Sequence, residues 1–137
     1  MTDPYTLSTR CPTVDEFISM RAVAGLSARS REAVELGLPN TLFSALLATS
    51  DGAVVAMGRI VGDGGCNFTV VDIAVHPDHQ RRGLGRRIMA SLMEQLRANG
   101  PASAYVDLSA DGGSPKLYAE FGFEPGAPAS IGMALKL

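Results

Sequence analysis

The chain has 137 residues, of which 46% are hydrophobic, and a formal net charge of −2 at pH 7. That length supports one well-filled core and leaves little room for a second, so a single domain is expected over residues 1–137. A slightly acidic balance excludes a face built along many nucleic-acid phosphates, and no stretch approaches the roughly 18 consecutive apolar residues of a membrane span.

Residues 5–10 alternate weakly and suit an edge strand. Pro12-Thr13 then offers an N-cap to Val14, Phe17, Ile18 and Ala22, which predicts a helix over 13–24. Arg31 to Leu36 forms a second short helical pattern closed by Gly37 and Pro39. Two apolar runs, Thr41 to Ala48 and Ala53 to Val61, flank Ser50-Asp51-Gly52 and read as a hairpin. Asp63-Gly64-Gly65 turns the chain into a third strand, Cys66 to His76. Cys11 and Cys66 are too few for a disulfide framework or a zinc site; they are expected to be reduced, packed thiols of a cytoplasmic protein that holds no metal.

From Leu84 to Arg97 the residues Leu84, Ile88, Leu92 and Leu96 fall on one helical stripe, with Met89 and Met93 beside it. Asn99-Gly100-Pro101 ends that helix. Ala104 to Ser109 is a further strand, and strand–helix–strand order makes it parallel to 66–76. Pro115 opens a short helix reaching Glu120. Ile131 to Leu137 alternates and predicts a last strand. No repeat or linker interrupts the chain.

The junction Val71-Asp72-Ile73-Ala74-Val75-His76-Pro77 followed by Gln80-Arg81-Arg82-Gly83-Leu84-Gly85-Arg86-Arg87 carries the chemistry. An apolar strand meets a helix whose first amides have no intrahelical partner, and two glycines clear the approach to them. The helix N-terminus contributes roughly half a positive charge, to which the arginines add whole ones. An anion is the expected ligand. A P-loop would need Gly-Lys-Ser/Thr where Gly85 is followed by Arg86 and Arg87, which argues against a kinase or NTPase. A dinucleotide fingerprint fails at Ile88, where the close helix–strand contact wants glycine or alanine.

The spacing Gln80-x-x-Gly83-x-Gly85 after Ala74-Val75-His76-Pro77, followed downstream by Tyr118-Ala119-Glu120-Phe121-Gly122-Phe123, resembles the GCN5-related N-acetyltransferase (GNAT) family. The resemblance implies an α/β (α+β) fold: a mixed central sheet of six to seven strands with about four helices, in which two parallel strands splay around acetyl-CoA as co-substrate. It places Ile73, Ala74 and Val75 as an edge for the pantetheine arm. The amides from Arg81 through Arg82, Gly83, Leu84 and Gly85 to Arg86 would cradle the pyrophosphate, joined by the side chains of Gln80, Arg81 and Arg86. Tyr118 would be the general acid for the leaving thiolate. Asp111 stands where the family often has an asparagine, so that cofactor contact is kept in altered form, passed to Ser114, or lost to a plain turn role.

A general base is harder to place, because Phe68-Thr69-Val70-Val71 contains no carboxylate where the family often has a glutamate. Asp72 offers two roles, base or ion-pair partner of a loop arginine, and the second is favoured. His76 reads as a strand-end residue and His79 as solvated or phosphate-facing. The resemblance implies an N-acetyltransferase that uses a small-molecule primary amine, walled by 23–40, the hairpin turn and 125–130. Those segments carry Arg29, Arg31, Glu32 and Glu35, and no acidic groove for a basic peptide is evident. The alternative is a non-catalytic acyl-CoA sensor. No nucleic-acid or membrane partner is expected, and the apolar end at 131–137 permits a homodimer without requiring one.

Overall fold

A computed structural model describes residues 2–110 and 114–137. Its elements run β1 (Tyr5–Ser8), α1 (Val14–Val23), α2 (Arg31–Gly37), β2 (Phe43–Thr49), β3 (Val54–Gly62), β4 (Asn67–Val75), α3 (Leu84–Asn99), β5 (Tyr105–Leu108) and α4 (Pro115–Ala119). The five strands lie in the order β1-β2-β3-β4-β5, antiparallel up to β4 and parallel between β4 and β5. The expected parallel pair is present.

Local chemistry explains the helices. At α1 the Thr13 hydroxyl accepts the Glu16 amide at 3.1 Å, and the Glu16 carboxylate accepts the Thr13 amide at 2.9 Å, closing a capping box. Arg10 grips the same carboxylate at 2.7 and 2.9 Å and, as the largest cause, holds the Glu16 pKa down at about 2. On α3 the stripe Leu84, Ile88, Met89, Leu92, Met93 and Leu96 is buried against the sheet. Each such side chain contributes roughly 1.5–3 kcal/mol on leaving water.

The sheet is covered on both faces. Ala45, Leu47, Ile60, Phe68 and Val70 pack with α3, while Leu46, Met57 and Ala74 pack with Phe17 and Met20 of α1 and Val34 of α2. Strand alternation assigns each strand's residues to these two cores.

A β-bulge in β4 breaks that alternation. Met57 pairs with Ala74 and Arg59 with Val71, so Gly58 alone faces both Asp72 and Ile73. Asp72 takes a left-handed conformation with φ 61°. The extra residue resets the parity: Val70 and Ile73, three apart, both face α3. Gly58 is required there, because a Cβ would lie 2.5 Å from Ile73 Cδ1 and 2.6 Å from Ile88 Cγ2. The β4–β5 ladder ends at Val70–Leu108, just before the bulge.

Two expectations are corrected. Ile131–Leu137 forms no strand, so the sheet has five strands among the described residues rather than six or seven. The alternation is real, but a strand needs a ladder partner, and Ile131, Met133, Leu135 and Leu137 are 69–112% exposed. Cys11 and Cys66 are exposed rather than packed. Cys66 directly follows the turn that leads into β4, and Cys11 lies in the connection between β1 and α1, where its thiol reaches Leu38 O and Thr41 Oγ1 at 3.7 and 3.6 Å.

Candidate functional site

The end of β4 and the start of α3 enclose a cleft of about 230 Å³ lined by Val75, Gln80, Arg81, Gly83, Leu84, Gly85, Arg86 and Leu117. The sequence shapes it step by step. His76 Nδ1 accepts the Asp78 amide at 3.1 Å and starts a single 3-10 turn over Pro77–His79. Arg81 and Gly83 then take positive φ, 65° and 75°, which reverses the chain into α3. Arg87 N is the first α3 amide to reach a carbonyl of its own helix, Gly83 O at 3.1 Å, and Gly83 supplies no side-chain cap. Among the described residues, the amides of Leu84, Gly85 and Arg86 thus have no acceptor at the positive end of a 16-residue helix.

The four arginines do not act alike. Arg82 donates to the Tyr5 phenol at 2.8 Å, and that phenol hydrogen-bonds His79 Nδ1 at 2.8 Å. Arg87 pairs with Asp3 at 2.9 Å. Arg86 pairs with Glu120 at 3.0 and 3.2 Å, and this carboxylate raises its pKa further. Arg81 lines the cleft and has no ion pair among the described residues. Gln80 Nε2 lies 3.4 Å from Val75 O. His79 is half-buried against Tyr5, with ring centroids 5.6 Å apart, rather than solvated.

Above the cleft, among the described residues, the stretch Val71 to Val75 has β3 as its one strand neighbour, since β5 ends opposite Val70. Ile73, Ala74 and Val75 therefore present an unpaired backbone edge that runs into the cleft at Val75. The Ile73 and Val75 side chains pack with the α3 core and Ala74 with the α1 core, which leaves the backbone as the available surface.

Tyr118 is 8% exposed in the α3-side core, its ring 6.4 Å from Phe123 in an edge-to-face contact. Its neighbour Leu117, whose role the sequence did not reveal, supplies the cleft wall: a Cβ on Gly85 would lie 3.6 Å from Leu117 Cδ2 and 3.9 Å from Val75 Cγ2. The signal available was adjacency to Tyr118 in the quoted motif. Ser114 stands at the start of α4, where its carbonyl accepts the Leu117 and Tyr118 amides at 3.0 and 3.2 Å. Asp111 lies outside the described residues.

Asp72 has a structural engagement, but not with the loop. Its oxygens take Arg21 of α1 at 2.5 Å and Arg59 of β3 at 2.8 Å, all three side chains being at most 11% exposed. Burial lowers the Arg21 pKa, with Asp72 opposing the shift. The expectation of a loop-arginine partner is thereby corrected: the bulge turns Asp72 to the α1 face, away from α3 and its loop. Arg59 also donates to Thr41 Oγ1 at 2.7 Å.

The chemistry of the cleft suits a diphosphate on an extended arm. Unpaired amides, Arg81 and Gln80 meet an anion, and the β4 edge offers backbone donors and acceptors to an amide-bearing chain. A larger cavity, about 580 Å³, lies at the other end of the sheet between Thr9, Cys11 to Val14, Glu35, Leu38, Pro39, Thr41 to Ser44 and Gln95. Among the described residues its one charged lining group, Glu35, is acidic, so it does not suit a phosphate. It includes part of the 23–40 region but neither the hairpin turn nor 125–130. Among the described residues no helix is long and apolar enough to cross a membrane.

A parallel β4–β5 pair whose ladder ends at Val70–Leu108, beside a glycine-loop helix start, defines an acetyltransferase-type scaffold. Residues 42–125 match the acetyltransferase (GNAT) domain, and the chain belongs to that family. A Staphylococcus aureus protein of unknown function, described as a probable acetyltransferase, superposes with a TM-score of 0.91 at 41% identity, covering 97% of this chain and 99% of that one. Rice chloroplastic serotonin N-acetyltransferase 2 is 37% identical over 87 residues, 64% of this chain and 42% of that protein. The Escherichia coli ribosomal protein bS18-alanine N-acetyltransferase is 38% identical over 72 residues, 52% of this chain and 47% of that enzyme. The matched segment spans about half the length of these curated relatives.

Proposed function

We propose that the chain is an acetyl-CoA-dependent N-acetyltransferase that acetylates a primary amine of a small molecule by direct attack in a ternary complex. One observation carries this reading: the unpaired β4 edge and the uncapped start of α3 meet at Val75, which joins a seat for an extended amide chain to a seat for its diphosphate. Acetyl-CoA supplies the activated thioester when bound. Arg81, Gln80 and the amides from Arg82 to Arg86 hold the pyrophosphate, and the backbone of Ile73, Ala74 and Val75 holds the arm. Tyr118 gives a proton to the departing sulfur, which makes the thiolate a better leaving group. Ser114, at the start of α4, flanks the arm, and Asp111 is a further candidate contact to it by sequence position alone.

The names of the relatives support an amine acceptor, serotonin in one case and a protein's alanine in the other. A small amine is favoured because the 23–40 region mixes Arg29 and Arg31 with Glu32 and Glu35 instead of carrying carboxylates alone. A second reading, a non-catalytic acyl-CoA sensor, draws on one observation: Asp72, the carboxylate in β4, is committed to two arginines. Thiol release from acetyl-CoA with a panel of amines tests the choice. Amine-dependent release supports the transferase; stabilisation by acetyl-CoA without release on any amine supports the sensor, and equal stabilisation by NAD or ATP removes both.

A further inference from the structure

Resting on the acetyl-transfer reading above, we propose that Asp107 is the residue that binds the acceptor's ammonium and takes its proton. The location follows from the strand register. Thr69 pairs with Asp107 and Val70 with Leu108, where β5 and its ladder end while β4 runs on to Val75, and this ladder end is the fork. Phe68, Val70, Val106 and Leu108 belong to the core under α3, so Thr69 and Asp107 share the opposite face. The Thr69 hydroxyl donates to Asp107 Oδ1 at 2.6 Å, which fixes the carboxylate one residue below the fork. Asp107 is exposed and has no ion pair among the described residues, whereas Asp72, the other carboxylate facing that side from β4, is taken by Arg21 and Arg59.

An arm that starts at the cleft and follows β4 from Val75 back to Val71 covers about 13 Å at ~3.3 Å per residue, and its reactive end then lies at the fork. On the α3 side that region is closed by Ile73, Ile88 and Leu92. The acceptor therefore approaches from the opposite face at its β5 edge, where Asp107 is exposed, while Tyr118 belongs to the α3-side core. Base and acid occupy opposite faces of the sheet. The ammonium R–NH3+ gives one proton to the Asp107 carboxylate, and the freed nitrogen pair forms the C–N bond at the thioester carbon. The C–S bond breaks with its electron pair going to sulfur. The second amine proton passes to solvent water as the amide forms, and sulfur receives a proton from Tyr118, which is re-protonated from solvent; Asp107 releases its own proton to solvent, so one proton is released net per turnover.

The test compares wild type, Asp107→Asn and Thr69→Val by thiol release over pH 6–10, with acetyl-CoA binding and Tm measured alongside. Asp107→Asn should lower kcat/KM for the amine about 100-fold or more near neutral pH. The deficit should shrink as pH rises and the amine deprotonates unaided, while acetyl-CoA affinity and Tm hold. Thr69→Val, which cuts the strand tie but keeps the carboxylate, should retain most of the rate and the same pH limb. An Asp107→Asn rate within threefold of wild type overturns the inference, as does an equal loss in both variants with an unchanged pH profile. Wild type that binds acetyl-CoA yet acetylates no amine overturns the acetyl-transfer reading instead.

Discussion

Asp72→Asn isolates the charge at the centre of the sheet. The substitution keeps side-chain shape, and asparagine tolerates the left-handed backbone at φ 61°. What remains is two guanidinium groups, from Arg21 and Arg59, whose side chains are 8% and 11% exposed, sharing one neutral amide oxygen. Removing one side of a buried ion pair costs about 3–5 kcal/mol, and the retained oxygen places this variant near ~3 kcal/mol. For a chain of this size that corresponds to a Tm lowered by roughly 12 °C at about 4 °C per kcal/mol. Replacing Asp72 by alanine should cost about 1 kcal/mol more, from left-handed backbone strain. Urea titration with far-UV circular dichroism measures the loss. A destabilisation below about 1 kcal/mol accompanied by a collapse in turnover would refute the structural role and return Asp72 to candidacy as base.

Gly85→Ala should leave the fold intact, because its Cβ meets Leu117 and Val75 only at ordinary contact distance, 3.6 and 3.9 Å. The methyl group stands in the cleft, so calorimetry should show acetyl-CoA affinity reduced about 10-fold or more, at ~1.4 kcal/mol per decade. Tyr118→Phe should lower kcat about 10–100-fold, within the range of general acid catalysis, with acetyl-CoA affinity nearly unchanged; an unaltered kcat across pH would remove Tyr118 from the mechanism. Glu16 supplies a pH signature. Its folded pKa is depressed from 4.5 to about 2, so its contribution is full above pH 4.5 and lost as pH falls toward 2. Glu16→Gln, which can keep the capping box, should therefore melt below wild type at pH 6 and converge with it near pH 2; a constant gap in Tm would contradict that assignment.

Patterns within one segment were legible from sequence, and contacts between distant segments were not. The α3 stripe, the hairpin about Ser50-Asp51-Gly52 and the parallel pairing of β4 with β5 follow from periodicity and turn residues. The partners of Asp72 do not, because Arg21 lies 51 positions away, nor does the diversion of Arg82 to Tyr5, 77 positions away. The bulge was hidden because Asp72 is not a residue that announces positive φ as glycine does. Ile131–Leu137 misled for the converse reason: alternation marks which side chains share a face, but pairing requires a partner edge. In the cleft, glycine spacing located the amides, yet it could not say that Arg86 and Arg87 meet Glu120 and Asp3 while Arg81 stays uncommitted.

Amide hydrogen exchange with and without saturating acetyl-CoA tests the proposed seat most directly. Protection should rise over Val71–Val75, where the arm would add to the free edge of β4, and over Leu84–Arg86, where the diphosphate would take up the unpaired amides of α3, with β1 and α2 unchanged. Protection confined to Thr9–Val14 and Leu38–Ser44, around the larger cavity, or none at saturation, would contradict it.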